Sequence, residues 1–117
     1  MNEKPSQGLL NLTRIVLTRT FGEKRLEKLT NEHMEVLAAI VAHHGLFGLS
    51  AREQDVLSRR FCGGKTYRAI GEGLGITPSP VRQIVLRALT KLTRAARADL
   101  VKTMQDIETE RGNHESL

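Results

Sequence analysis

Apolar residues recur along this chain at three- and four-residue intervals, the repeat of an α-helix, and no stretch carries a defensible strand signal. Leu9, Leu10, Leu12, Ile15, Val16 and Leu17 predict a first helix ending near Phe21-Gly22, where glycine is a usual stop. Leu26, Leu29, Val36, Leu37, Ile40 and Val41 keep the same spacing, either in one helix or in two broken near Thr30-Asn31. Gly45 is the expected end of that stretch, with His43 and His44 in its last turn. Ser50-Ala51-Arg52-Glu53 reads as a capping box that opens a helix to about Cys62, closed by Gly63-Gly64. Thr66 caps a short helix, Tyr67 to Leu74, and Gly75 closes it. A final helix is predicted from Pro80, with Ser79 or Thr77 as its cap and proline in a tolerated first-turn place. Its apolar residues, from Val81 to Met104, carry it to about Glu108, either unbroken or broken near Thr93. Gly112 and the tail after it read as disordered. The expected fold is all-α: a helix-turn-helix domain of about five helices, with N-terminal helices packed on it or extending from it.

Length and composition refine this picture. The 117 residues give room for one compact domain and a short appendage, with a core of Leu, Ile, Val and Ala because there is no Trp, one Tyr and three Phe. The net charge of +5 is unevenly placed. Ten Lys/Arg face three Asp/Glu between Leu49 and Ala98, against six and five in residues 1–48, and two and five in residues 99–117. That division suggests an N-terminal segment for packing or dimerisation (1–48), a basic DNA-binding unit (49–98) and a C-terminal extension (99–117). Concentrated positive charge points to a polyanion such as nucleic acid. The single Cys62 leaves no internal disulfide and suits a reducing cytosol. No apolar run approaches the roughly 20 residues of a membrane span, and MNEKPSQG lacks the layout of a secretory signal. A cytoplasmic protein without a membrane role is expected.

The two short helices joined by Gly75-Ile76-Thr77 have the makings of a helix-turn-helix. Ile70 and Leu74 face inward from the first, and Val81 and Ile84 from the second. Gly71 allows the helices to approach, Gly75 permits a left-handed residue, and Ile76 plugs the angle between them. The second helix then turns its first residues outward, toward a major groove about 12 Å wide.

The stretch LSAREQDVLSRRFCGGKTYRAIGEGLGITPSPVRQIVLRALTKL resembles region 4 of bacterial sigma factors, which reads the upstream promoter element. The Leu-Ser-x-Arg-Glu-x-x-Val-Leu opening, Arg60-Phe61 with Thr66-Tyr67, and Val81-Arg82-Gln83-Ile84 carry the likeness. The resemblance implies base contacts from Ser79, Arg82 and Gln83 in a recognition helix of about 80–92, with Arg82 bidentate to guanine. It implies backbone contacts from Arg59, Arg60, Lys65, Thr66, Arg68, Thr77, Arg87 and Lys91. Two departures stand out: Pro78-Ser79-Pro80 replaces a charged helix start, and Ala69 stands where Glu is common. Together they imply a non-standard DNA site. The same stretch is also similar to LuxR/GerE-type regulators, which share the opening motif and predict the same DNA surface.

The expected partner is double-stranded DNA, with RNA polymerase as an alternative partner of a partial sigma or co-regulator. Residues 1–48 are too short, and too poor in aromatics, for a promoter-melting sigma domain. A homodimer is expected, through Leu26, Leu29, His33, Val36 and Ile40 at a/d spacing or through Leu92, Ala96, Leu100 and Met104 of the last helix. Equally, the N-terminal helices are candidates to pack on the helix-turn-helix of their own chain. His33, His43, His44 and Cys62 show no metal spacing, because adjacent histidines diverge on a helix and no second cysteine exists. The histidine pair suits a helix C-terminus instead, and Cys62 is expected at least half-buried. Gly71-Glu72-Gly73-Leu74-Gly75 follows no strand and its apolar residues are needed in the core, so it is no phosphate loop. No nucleophile–base grouping appears. Neither enzyme activity nor a cofactor is expected.

Overall fold

Side-chain caps set most of the helix starts. In a computed structural model, which describes residues 4–115, the elements are α1 (Gln7–Phe21), α2 (Glu23–Leu26), α3 (Asn31–Gly48), α4 (Ala51–Leu57), α5 (Tyr67–Leu74) and α6 (Pro78–Glu115). Among the described residues there is no strand. Ser6 caps α1 by accepting from the Leu9 N–H, and Gly22 ends it. The break at Thr30-Asn31 is real: Thr30 accepts from the His33 N–H while His33 Nδ1 accepts from the Thr30 N–H, a capping box with histidine in the usual Glu place. Ser50 and Glu53 form the predicted box at the start of α4.

Three boundaries differ from the sequence reading. Helix α3 passes through Gly45 and stops at Gly48, because its last carbonyls find a partner further on. Gln54 Nε2 donates to the Leu46 and Leu49 carbonyls at 3.0 Å each, which closes the helix at Gly48 without a left-handed residue. His43 and His44 therefore lie more than a turn inside α3; His44 Nε2 instead meets Asp99 Oδ2 of α6 at 2.7 Å. Helix α6 begins at Pro78, two residues before the expected start, and runs unbroken past Glu108 to Glu115, through Gly112. Gly112–Glu115 are thus helical, not disordered; the last two residues of the predicted tail lie outside the described residues.

The core is aliphatic and has α6 as its spine. Val81, Val85, Ala88, Leu92, Ala96, Leu100 and Met104 of that helix are at most 1% exposed. Val16 and Leu17 of α1, Leu37 and Val41 of α3, Val56 of α4 and Ile70 of α5 join the same cluster. The N-terminal helices thus pack on the helix-turn-helix within the chain, and Leu92, Ala96, Leu100 and Met104 are buried there rather than free for a second subunit. Far from the turn, Arg25 grips Glu108 through two hydrogen bonds of 2.6 and 3.2 Å and lies 4.8 Å from the Phe21 ring centre.

Helix α1 reaches α4 through a contact without a local sequence signal. After Leu57 the α4 backbone widens into a π turn, Ser58–Cys62, whose exit is marked by a bond from the Gly63 N–H to the Ser58 carbonyl. Gly8 lies directly on this turn: a Cβ there would stand 2.5 Å from the Phe61 carbonyl oxygen and 2.6 Å from Cys62 Cα. Cys62, at the end of this turn, is exposed, contrary to expectation. Gly8→Ala should lower the unfolding free energy by about 1–3 kcal/mol, since backbone has to move. Gly45→Ala, where the new methyl meets nothing nearer than 4.0 Å, should raise it by about 0.5–1 kcal/mol. Urea unfolding of the two variants beside the parent chain tests both signs.

Candidate nucleic-acid interface

The turn between α5 and α6 is built from a cap, a glycine and a wedge. Thr66 Oγ1 accepts from the Ala69 N–H at 3.1 Å and opens α5. Gly75 closes it in the left-handed region, φ 72° and ψ 28°, where a Cβ is strained. Gly71 permits the crossing itself, since a Cβ there would lie 2.5 Å from the Ile76 carbonyl oxygen. The Ile76 N–H returns to the Gly71 carbonyl at 2.9 Å. Ile70 and Val81 are fully buried on either side, with Leu74, Ile76 and Ile84 packed against the core. The angle between the helices is therefore set by backbone contact and buried aliphatics.

The first turn of α6 is unusual. Pro78 and Pro80 occupy its first and third helical positions, where φ near −65° is already correct and no intrahelical N–H is needed. Two of the N–H groups that a helix start normally offers to an anion are thereby removed. Thr77 and Ser79 retain theirs. Ser79 thus sits within the first turn rather than capping it, and Thr77 immediately precedes the helix. Ser79, Arg82 and Gln83 are all exposed at this end of α6, as are Thr77 and Arg87. This helix start therefore presents side-chain donors more than backbone ones.

The remaining predicted residues lie on the π turn, the loop before α5, α5 itself and α6, and they are not equally free. Arg60 stacks over the Tyr67 ring at 4.6 Å and donates to the Lys65 carbonyl at 3.0 Å, so it shapes the loop before α5. Arg59 is bound by Asp55 at 3.1 Å, Arg68 by Glu72 at 3.5 Å and Lys91 by Glu53 at 3.0 Å. The Arg68–Glu72 pair is largely exposed, so water and salt screen it and it holds the arginine weakly. Lys65 is exposed, and the Thr66 hydroxyl serves the α5 cap. The exposed face of α6 also continues through Arg94 and Arg97, which the sequence reading did not single out although their three- and four-residue spacing from Gln83 was visible.

Residues 45–94 match the family model described as Sigma-70, region 4. This segment is a sigma region 4-like helix-turn-helix. No curated protein and no solved structure matches the chain. The sigma region 4-like part begins inside α3 and ends inside α6, so α1, α2 and the far half of α6 lie beyond it. That family is a DNA-binding, non-enzymatic domain type. Among the described residues, no helix is long and apolar enough to cross a membrane.

One carboxylate joins the two halves of the sigma region 4-like unit. Glu53, 8% exposed, accepts from the Ser50 N–H at 2.9 Å and from Lys91 of α6. The backbone hydrogen bond from Ser50, with Lys91 and the Ser50 hydroxyl adding to it, holds its pKa below the ordinary 4.5 against the opposing effect of burial. Arg25 depresses Glu108 in the same direction. A carboxylate that is more acidic when folded stabilises the fold fully above its unfolded pKa. The contribution is lost as pH falls through the depressed folded value. Glu53→Gln keeps the capping geometry but cannot ionise. Its melting temperature should therefore fall less than the parent's between pH 5 and roughly pH 2.5, and equal acid losses in the two proteins would refute the linkage.

Proposed function

We propose that this protein is a sequence-specific, DNA-binding regulator of transcription that works in the cytoplasm. The observation that carries the reading is the exposed Ser79, Arg82 and Gln83 at the start of α6, aimed by a buried turn in a sigma region 4-like unit. Arg82 has the donors to take guanine O6 and N7 together, and Gln83 suits adenine. Lys65, Arg68, Arg87 and Lys91, with Arg59, Thr66 and Thr77, hold the phosphates on either side, and Arg60 keeps the loop in shape for them. Proline at two places of the first turn favours a target unlike the usual promoter hexamer. Residues 49–98 form the reading unit in this account.

A homodimer is the second half of the proposal, because one such module gives modest affinity and two give half-site spacing. Support comes from α3, where Val36 is 53% and Phe47 74% exposed on the stripe that also holds Ile40 and His43. Leu26, the last residue of α2, and Leu29, in the turn before α3, pack inward, so the seam of the wider a/d reading shortens to α3 alone. A second reading, a polymerase-bound co-regulator, draws on the region 4 likeness and would use the same apolar stripe for a protein partner.

Fragment selection on random duplex, with and without RNA polymerase, tests the main reading. Enrichment of one short site by the protein alone is expected; enrichment only with polymerase favours the second reading. Arg82→Ala should then flatten base preference at one position, by about 1–3 kcal/mol, whereas Lys65→Ala should weaken all sequences alike. Sedimentation of the parent and of a Val36→Glu/Phe47→Glu variant tests the dimer: the parent should run as a dimer and the variant as a monomer.

A further inference from the structure

Helix α6 places Gln83, Arg87, Thr90, Arg94 and Arg97 at intervals of four, three, four and three residues, and all five are exposed. They form one stripe along the helix. Where α1 crosses it, Arg19 reaches Thr90 Oγ1 at 3.4 Å. Arg19, Arg94 and Arg97 together line an open cleft of about 330 Å³ with Thr90 and Thr93. None of these three arginines has a carboxylate partner among the described residues, whereas Arg25, Arg59 and Arg68 each have one. Guanidinium groups gathered without counter-charge repel one another, so the cleft suits an anion.

Distance decides which anion. From Gln83 to Arg97 the helix rises by about 21 Å, clearly more than the major-groove width of about 12 Å. With the first turns of α6 in the groove, the cleft lies past the groove edge, where the phosphate backbone runs. We infer that Arg19, Arg94 and Arg97 form a second phosphate-backbone clamp, which holds duplex flanking the segment read by Ser79, Arg82 and Gln83. This rests on the DNA-binding reading above and adds a role for α1, which lies outside the region 4-like unit. The clamp adds affinity and length preference without base preference.

The test is fluorescence anisotropy over a salt series with random-sequence duplexes of about one and about three helical turns. Arg19→Gln/Arg94→Gln/Arg97→Gln is compared with the parent and with the triple lysine variant, after matching melting curves. On the longer duplex, the glutamine variant should lose up to about 2.7 units from the slope of log affinity against log salt, roughly 0.9 per lost contact. On the shorter duplex the two should differ little, and the lysine variant should follow the parent. Arg94→Gln alone, at an exposed position, should lose about 0.9. An unchanged slope on the longer duplex, with the parent still binding, overturns the clamp and leaves the DNA reading intact. A parent that binds neither duplex overturns both. Displacement of duplex by polyglutamate at equal charge concentration overturns the choice of DNA as the occupant.

Discussion

The structure depends on one apolar stripe along α6. Val81, Val85, Leu92, Leu100 and Met104 give α1, α3, α4 and α5 a common surface to pack on, while α1 also packs on α3 and on the π turn. Non-directional burial of this kind fixes little by itself. Specificity comes from backbone approaching backbone. Gly71 against Ile76, and Gly8 against Phe61 and Cys62, are places where a single added carbon has no room. Those two contacts set the angle of the turn and the position of α1.

Charge is distributed by a different logic. Carboxylates are paired where they hold the fold: Glu53 under Lys91, Glu108 under Arg25, Asp55 under Arg59. Cations left over collect on the outer face of α6 and at its crossing with α1. Unpaired positive charge on one side suits a polyanion, since a partner that neutralises several such groups gains affinity from released counterions.

How much of this was legible follows from whether a feature is local. Ser50 with Glu53, Thr66 with Ala69, and Gly75 act within four residues, and each stands where the sequence put it. The turn of the helix-turn-helix was readable for the same reason. Gly45 misled because a glycine can sit in a helix when the real stop lies elsewhere, here in Gln54 reaching back to Leu46 and Leu49. Pro80 misled because a second proline two residues earlier already met the needs of a helix start. Cys62 was misplaced by a π turn that no periodicity announces. The inward role of Leu100 and Met104 was visible as spacing, but not whether their partner was the same chain. Arg19 beside Thr90 joins residues 71 positions apart, and nothing local signals it.

The unbroken course of α6 has a mechanical side. At 38 residues it spans about 57 Å, nearly the whole 58 Å length of the molecule. Its first turn and the Glu108 turn gripped by Arg25 thus lie about 45 Å apart on one unbroken helix. A tilt of roughly ten degrees about the Pro78 end carries the Glu108 end through several ångströms, on the order of 8 Å over this rise. A rigid rotation of α6 therefore moves its Arg25–Glu108 contact far more than its Pro78 end.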